Sequence, residues 1–344
     1  MNTIDQTERF AIIGDGQMGL VSTMILDSQH IPTTLWGRDA QHVEDLKQVR
    51  ESTRHLPGYP IPESVDIVSD DDAIFEGAGV IVCAVPTQFI RPVLMRLRDY
   101  IPDRVPIVSF AKGIENETGL RPSQVIAEVL HDDPDQPARP LAALSGPTIA
   151  DELARCLPAT MIAASDDREF CLKLQEAFTT HWLRIYTKDD LLGVELAGAT
   201  KNVIALAAGM VDGLQAGINA KSALLARGLA EITRLGTAMG ASVDTFFGIA
   251  GVGDLATTCF SPVGRNRCCG EQLGKGLSLE EVLESTDSVV EGVATTRSVM
   301  ALAKKYRVDM PITEAVHAIL FEGLDPIDAI TRLMSREPKA ESIH

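Results

Sequence analysis

The sequence predicts an α/β domain built on a doubly wound, mostly parallel sheet, followed by an all-α domain. Three observations carry this reading. Short β-branched apolar runs alternate with amphipathic stretches through the first half of the chain. After about Asp190 the alternation stops, and Ala, Leu and Gly recur at helical spacing. The length of 344 residues is enough for about two domains. The expected division is residues 1–189 and 190–344.

The first run, Phe10–Ile13, is apolar and stops at a glycine. Gln17–Ser28 follows it and reads as a helix. Thr33–Trp36, Val65–Val68, Val80–Val85, Ile107–Phe110 and Leu141–Leu144 repeat the strand pattern, most of them bounded by turn residues. Gln41–Ser52 and Pro122–Leu130 read as intervening helices. Strands joined by helices imply a parallel sheet covered on both faces. Thr160–Ala164 and Trp182–Tyr186 are two further strands around a helical stretch near Phe170–Phe178. From Leu191 onward only helical spacing is visible. His131–Pro137 reads as a surface loop, and the chain past Ser335 is expected to fray.

Hydrophobic residues make up 45% and charged residues 23% of the chain, an ordinary globular balance. The net charge of −17 disfavours nucleic acid and anionic membrane as partners. No uncharged apolar run is long enough for a membrane span. The polar start, Met1–Phe10, is not expected to be a signal peptide. Cys83, Cys156, Cys171, Cys259, Cys268 and Cys269 show no metal-ligand spacing. They are expected to be reduced thiols of a cytoplasmic protein, with no metal site.

Lys201 is the only charged residue between Glu195 and Asp212. On a helix it shares a stripe with Ala197, Gly198, Ala205 and Ala208. Apolar surroundings lower a lysine's pKa toward the range of proton transfer. A lysine snorkelling out of a buried helix is the plainer alternative.

Gly14-Asp15-Gly16-Gln17-Met18-Gly19 follows a strand and opens a helix. In that context the glycines point to a dinucleotide on a Rossmann fold, with pyrophosphate at the helix N-terminus. An ordinary tight turn is the alternative. The second strand ends in Trp36-Gly37-Arg38-Asp39. An arginine there suits the 2′-phosphate of NADP(H), while an acidic residue suits NAD. Arg38 leans toward NADPH and Asp39 blurs the choice. Pro86-Thr87 ends the fourth strand, where the ligand crevice of such sheets lies.

Three more clusters are unusually polar or glycine-rich. Ser109-Phe110-Ala111-Lys112 places a lysine past a strand end, and Ser145-Gly146-Pro147-Thr148-Ile149-Ala150 follows the next strand. Gly251-Val252-Gly253-Asp254 leads on to Gly264-Arg265-Asn266-Arg267. Arg265 with Asn266 suits a phosphate, because guanidinium can bind its oxygens in bidentate fashion.

With these motifs the chain resembles NAD(P)-dependent glycerol-3-phosphate dehydrogenases of the bacterial type, from about Phe10 to about Leu333. The most specific pieces are Leu144-Ser145-Gly146-Pro147-Thr148, Lys201-Asn202-Val203-Ile204-Ala205, Gly253-Asp254-Leu255 with Arg265-Asn266-Arg267, and Val290-Glu291-Gly292. The resemblance implies interconversion of sn-glycerol 3-phosphate and dihydroxyacetone phosphate by a homodimer, supplying glycerol 3-phosphate for phospholipid synthesis. It implies NAD(P)H as cofactor, and the lean of Arg38 puts NADPH ahead of NADH. It makes Lys201 the proton donor and acceptor. Lys112 would contact substrate and cofactor, and Gly146 and Thr148 would lie along the substrate. Asp254 would hold the substrate or orient Lys201. Gly264, Arg265 and Asn266 would bind the phosphate. Gly14, Gly16, Gln17, Met18, Gly19, Arg38, Ala150, Val289 and Glu291 would border the cofactor, as would Lys112 and Arg265.

Two positions depart from the family pattern. Met18 stands where relatives carry an aromatic ring, and Gly264 where many carry serine. Hydroxyacid and ketopantoate reductases share the lysine but need no Arg265-Asn266 clamp. A nucleotide-sugar dehydrogenase needs a catalytic cysteine, for which Cys259 is the nearest candidate. A nucleotide-binding sensor would have no use for Lys112, Lys201, Asp254 and Arg265 together.

Overall fold

Eight strands form one sheet in the order β3-β2-β1-β4-β5-β6-β7-β8. They are β1 Arg9–Ile13, β2 Thr33–Trp36, β3 Asp66–Val68, β4 Ala78–Cys83, β5 Ile107–Ser109, β6 Leu141–Ser145, β7 Ala159–Ser165 and β8 Leu183–Lys188. The structure is a computed structural model that describes residues 8–131, 137–286, 289–337 and 340. The polar start of the chain, most of the His131–Pro137 loop and most of the tail past Ser335 lie outside the described residues.

Each expected strand is present, Thr33–Trp36 with its expected ends and the others with one or both ends shifted. All neighbouring pairs are parallel except β6 with β7, so the sheet is mostly parallel as expected. The central strand β1 is buried from Phe10 to Ile13, which explains its unbroken apolar run, since both of its faces are covered. Ile12 is level with Leu35 on one side and Val82 on the other. The chain winds outward in both directions from β1, and a ligand crevice opens at such a switch point. Phe178 packs edge-on against Phe10 and Phe110 at 6.2 and 5.9 Å between ring centroids.

The helices of this layer are α1 Gln17–Ser28, α2 Ala40–Val49, α3 Thr87–Leu97, α4 Pro122–Leu130, α5 Ala150–Ala154 and α6 Arg168–Phe178. Helix α2 stops short of the expected Ser52. Arg50 turns into the left-handed region at φ 54°, and its guanidinium donates to the carbonyls of Pro62 and Val65. Helix α3 starts directly after Pro86, where the sequence alone shows only a strand stop.

The second unit is helical. It contains α7 Leu191–Gly213, α8 Ile218–Ala238, α9 Val243–Phe246, α10 Asp254–Phe260, α11 Arg265–Gly274, α12 Leu279–Glu284, α13 Glu291–Tyr306, α14 Pro311–Phe321 and α15 Pro326–Met334. The chain divides into Met1–Ala111 with Pro122–Leu191, and Lys112–Arg121 with Leu192–His344. The Lys112–Arg121 segment thus belongs to the helical unit. Ile114 is fully buried in its core, and the Ser298 hydroxyl donates to Ile114 O at 3.0 Å.

Helix α7 is long and apolar enough to cross a membrane, but 94% of its most apolar stretch is buried within the protein. It is the core helix of the second unit. It crosses α11 with backbones almost touching. A Cβ on Gly209 would fall 1.9 Å from Arg267 O, and one on Gly270 would fall 2.0 Å from Leu206 O. The glycines permit this approach, which sets the start of α11 beside α7.

The Gly251-Val252-Gly253 stretch, expected as a loop cluster, is instead a π-helical turn over Ile249–Gly253 that runs into α10. Gly253 N donates to Gly248 O at 3.2 Å. The wide turn puts Asp254 on the first turn of α10, buried to 1% exposure.

Candidate active site

The glycine loop has the form a dinucleotide needs. Gly14 sits at φ 110°, and its N–H donates to Trp36 O at 2.9 Å. A Cβ on Gly19 would lie 1.9 Å from Gly14 O, so the helix packs on the turn as only glycine allows. At Gly16 the situation is reversed, because a Cβ there would meet nothing within 4 Å. Gly16 caps α1 without any side-chain bond. The open space therefore faces free N–H groups at a helix start, where a pyrophosphate binds well. Gln17 is exposed beside it. Met18 rests partly against the core of the sheet layer.

At the end of β2, Arg38 is exposed. Asp39 accepts from Gln41 N and His42 N, both at 3.0 Å. These backbone bonds, led by that from His42, hold its carboxyl below the usual range. Asp39 thus caps α2 through Oδ1. Past β6, Gly146 adopts φ 143°, Thr148 follows, and Ala150 begins α5. The hydroxyls of Thr87 and Ser145 are buried with no hydrogen-bond partner among the described residues, the former just beyond β4 and the latter at the end of β6. Donors left unsatisfied at strand C-terminal ends suit a polar ligand.

In the helical unit, Asp254 bridges two lysines. Its Oδ1 accepts from Lys201 Nζ at 2.6 Å, and its Oδ2 from Lys112 Nζ at 2.8 Å. Burial pushes the Asp254 carboxyl up, but Lys112 and Lys201 outweigh it and the net direction is down. Burial lowers Lys201 to about 8, with Asp254 acting against the drop. Of these two influences burial is the larger. Lys201 is 5% exposed, which removes the snorkelling alternative.

Lys201 Nζ has a second acceptor, Thr258 Oγ1 at 2.7 Å. That hydroxyl donates in turn to Asp254 O at 2.7 Å, so toward Lys201 it can only accept. An ammonium carries three N–H donors. Two are fixed here by Asp254 and Thr258, leaving one direction. In the neutral amine the same two bonds persist, and the lone pair takes that direction. The geometry therefore prepares one group to give a proton and to take it back.

Neighbouring groups hold this cluster in place. Asn202 Nδ2 donates to Lys112 O at 2.9 Å. Asn266 Oδ1 accepts from Gly292 N at 2.9 Å, which leaves the Asn266 amide hydrogens to face elsewhere. Arg265 Nη1 donates to Val289 O at 3.1 Å, tying the start of α11 to the residues before α13. Glu291 is the first residue of α13. Gly264 caps α11 with no side-chain bond, so the first N–H groups of that helix remain open to an anion. Arg267 serves packing instead. It bonds Ser261 O at 2.9 Å and pairs with Asp212 at 2.5 Å and Glu271 at 2.8 Å.

Lys112, Lys201 and Asp254 are thus in direct contact. Gly264, Arg265, Asn266, Val289 and Glu291 gather at the starts of α11 and α13. Gly14, Gly16, Gln17, Met18, Gly19, Arg38, Gly146, Thr148 and Ala150 lie past strand ends of the sheet unit. Sequence reasoning missed the role of Thr258. Its position one helical turn after Asp254 was the available signal. Burial pushes the Cys259 thiol up to about 12, which argues against a cysteine nucleophile. Among the described residues no group of His, Cys, Asp and Glu could hold a metal ion.

Comparison with known proteins extends this picture. Residues 9–171 match the family described as NAD-dependent glycerol-3-phosphate dehydrogenase N-terminus, and residues 190–331 match the corresponding C-terminus. The chain is 44% identical over 333 residues to a Chlorobium phaeobacteroides protein named glycerol-3-phosphate dehydrogenase (NAD(P)+), covering 97% of this chain and 99% of that one. A Bacillus pumilus protein of the same name is 43% identical over 329 residues, covering 96% and 94%. The solved structure of glycerol-3-phosphate dehydrogenase from Coxiella burnetii superimposes with a TM-score of 0.91 at 35% identity, covering 96% of this chain and all of that one.

Proposed function

Since the chain belongs to the NAD-dependent glycerol-3-phosphate dehydrogenase family, we propose that it interconverts sn-glycerol 3-phosphate and dihydroxyacetone phosphate, with Lys201 moving the proton. The observation that carries this reading is the fixing of Lys201 Nζ by Asp254 and Thr258, with one N–H direction left over. The nicotinamide cofactor, when bound, would supply the hydride as NAD(P)H or accept it as NAD(P)+. The open cradle at Gly16 and the tight packing at Gly19 fit such a cofactor.

In the reductive direction, negative charge grows on the C2 oxygen of dihydroxyacetone phosphate. Protonated Lys201 stabilises that oxygen and then protonates it. In the oxidative direction, neutral Lys201 removes the proton of the C2 hydroxyl. Asp254 keeps Lys112 and Lys201 together despite their like charge. The site has two cations for one anion, which favours an anionic substrate within a chain of net charge −17. Arg265 and Asn266 take the phosphate oxygens, supported by the open start of α11. Lys112, Gly146 and Thr148 line the substrate. Gln17, Met18, Ala150, Val289 and Glu291 border the nucleotide. Arg38, exposed just past the end of β2, favours NADPH. We place the enzyme in the cytoplasm as a homodimer that works toward glycerol 3-phosphate for phospholipid synthesis.

Two outcomes test the assignment. Arg265→Ala should raise KM for dihydroxyacetone phosphate by about tenfold or more, the worth of a charge-assisted bond, with a smaller effect on kcat. An unchanged KM would remove the phosphate role. Lys201 at about 8 also sets a pH dependence. Reduction needs its proton, so kcat/KM should fall as pH rises through that value, while oxidation should rise over the same range. Profiles of both directions that share one slope would contradict this.

A further inference from the structure

The end of β2 carries a carboxylate that the local sequence does not show. In dinucleotide folds an acidic side chain at that strand end hydrogen-bonds the adenosine ribose hydroxyls. Here the strand ends at Trp36 and Gly37 follows, with no side chain to offer. Asp39 is committed through Oδ1 to capping α2. Asp15, from within the glycine loop, fills the space instead. A Cβ on Gly37 would fall 2.6 Å from Asp15 Oδ2. Gly37 therefore leaves the volume in which the Asp15 carboxylate sits. His42 Nε2 stands 3.6 Å from the same oxygen.

The cations around this point are unequally committed. Arg96 Nε donates to Asp71 Oδ2 at 2.7 Å, and its guanidinium lies 5.2 Å from the Trp36 ring centroid. Arg38 donates no guanidinium hydrogen bond among the described residues and remains open to a phosphate. One strand end thus presents an anion that accepts hydroxyl hydrogens and a cation that accepts a phosphate.

We propose that Asp15 is the ribose-hydroxyl acceptor of this chain and a determinant of cofactor choice. It supports NADH and opposes the 2′-phosphate of NADPH, while Arg38 pulls the other way. Discrimination between the two cofactors is then narrow by construction. The proposal rests on the reading of Gly14–Gly19 as the nucleotide loop, and it extends that reading to a residue between the glycines.

Equilibrium titration of the full-length protein with NADH and with NADPH tests it, using reduced-nicotinamide fluorescence in the absence of substrate. Asp15→Ala should weaken NADH by about tenfold, the worth of one hydrogen bond to a charged acceptor, and leave NADPH unchanged or tighter. Asp15→Asn keeps the volume beside Gly37 and removes the charge. It should tighten NADPH even if the alanine variant folds poorly. Arg38→Ala should weaken NADPH selectively. Wild-type binding with an unchanged NADH-to-NADPH affinity ratio in both Asp15 variants would overturn the proposal and leave the nucleotide loop standing. Absence of wild-type binding to either nucleotide would overturn both.

Discussion

Lys201→Ala lowers kcat by at least about a hundredfold, within the range for loss of a general acid–base group, and leaves NADPH binding intact. The expectation follows from how fully the amine is committed. Its side chain is 6% exposed, and its two partners stand at 2.6 and 2.7 Å. Thr258 cannot replace it, since its proton is on Asp254 O. Lys112 is held by the opposite carboxylate oxygen. Single-turnover reduction, followed by loss of nicotinamide absorbance, separates the chemical step from binding. Turnover within a few-fold of wild type would end the assignment of Lys201.

Asp254→Asn acts on stability and on catalysis together. The substitution leaves the buried Lys201 ammonium and the part-buried Lys112 ammonium facing a neutral amide. Breaking a buried pair by removing one partner costs on the order of 3–5 kcal/mol. Asp254 raises the pKa of Lys201, so its removal drives that value lower still. Less of the lysine is then protonated at neutral pH, and the reductive pH profile moves to the acid side. Denaturant unfolding measures the first effect, and the pH dependence of kcat/KM the second. A variant with wild-type stability and an unmoved profile would show that Asp254 does not govern Lys201.

The division into a sheet unit and a helical unit was legible because its signals are local. Runs such as Phe10–Ile13 and Val80–Val85 are buried on both faces and read as continuous apolar stretches. Helix α7 was legible for the same reason, and Lys201 stood out as the charge it could least accommodate. The harder features depend on contacts distant in sequence. Helix α2 ends early because Arg50 reaches Pro62 and Val65. Lys112–Arg121 joins the helical unit because Ile114 is buried there, which no strand or helix period reports. The π-helical turn before Asp254 resembles a loop in sequence, being rich in glycine. Thr258 looks like any threonine on a short helix until Lys201 is found beside it. Asp39 looked like a ribose ligand, yet its backbone partners lie within its own helix start.

The glycine-lined crossing of α7 and α11 bears on how this site can vary. Lys201 lies on one helix and Arg265 with Asn266 on the other, and main chain meets main chain between them. Interiors packed at this density yield poorly to added volume. The span from Lys201, the proposed proton-transfer group, to Arg265 and Asn266, the proposed phosphate ligands, is therefore set by backbone thickness, much as a caliper is set by its jaws. A substrate longer by a carbon would have to bend to fit, since the helices have no slack to part. Changes in chain-length preference would have to come from the side chains at the rim, while the gauge itself stays constant.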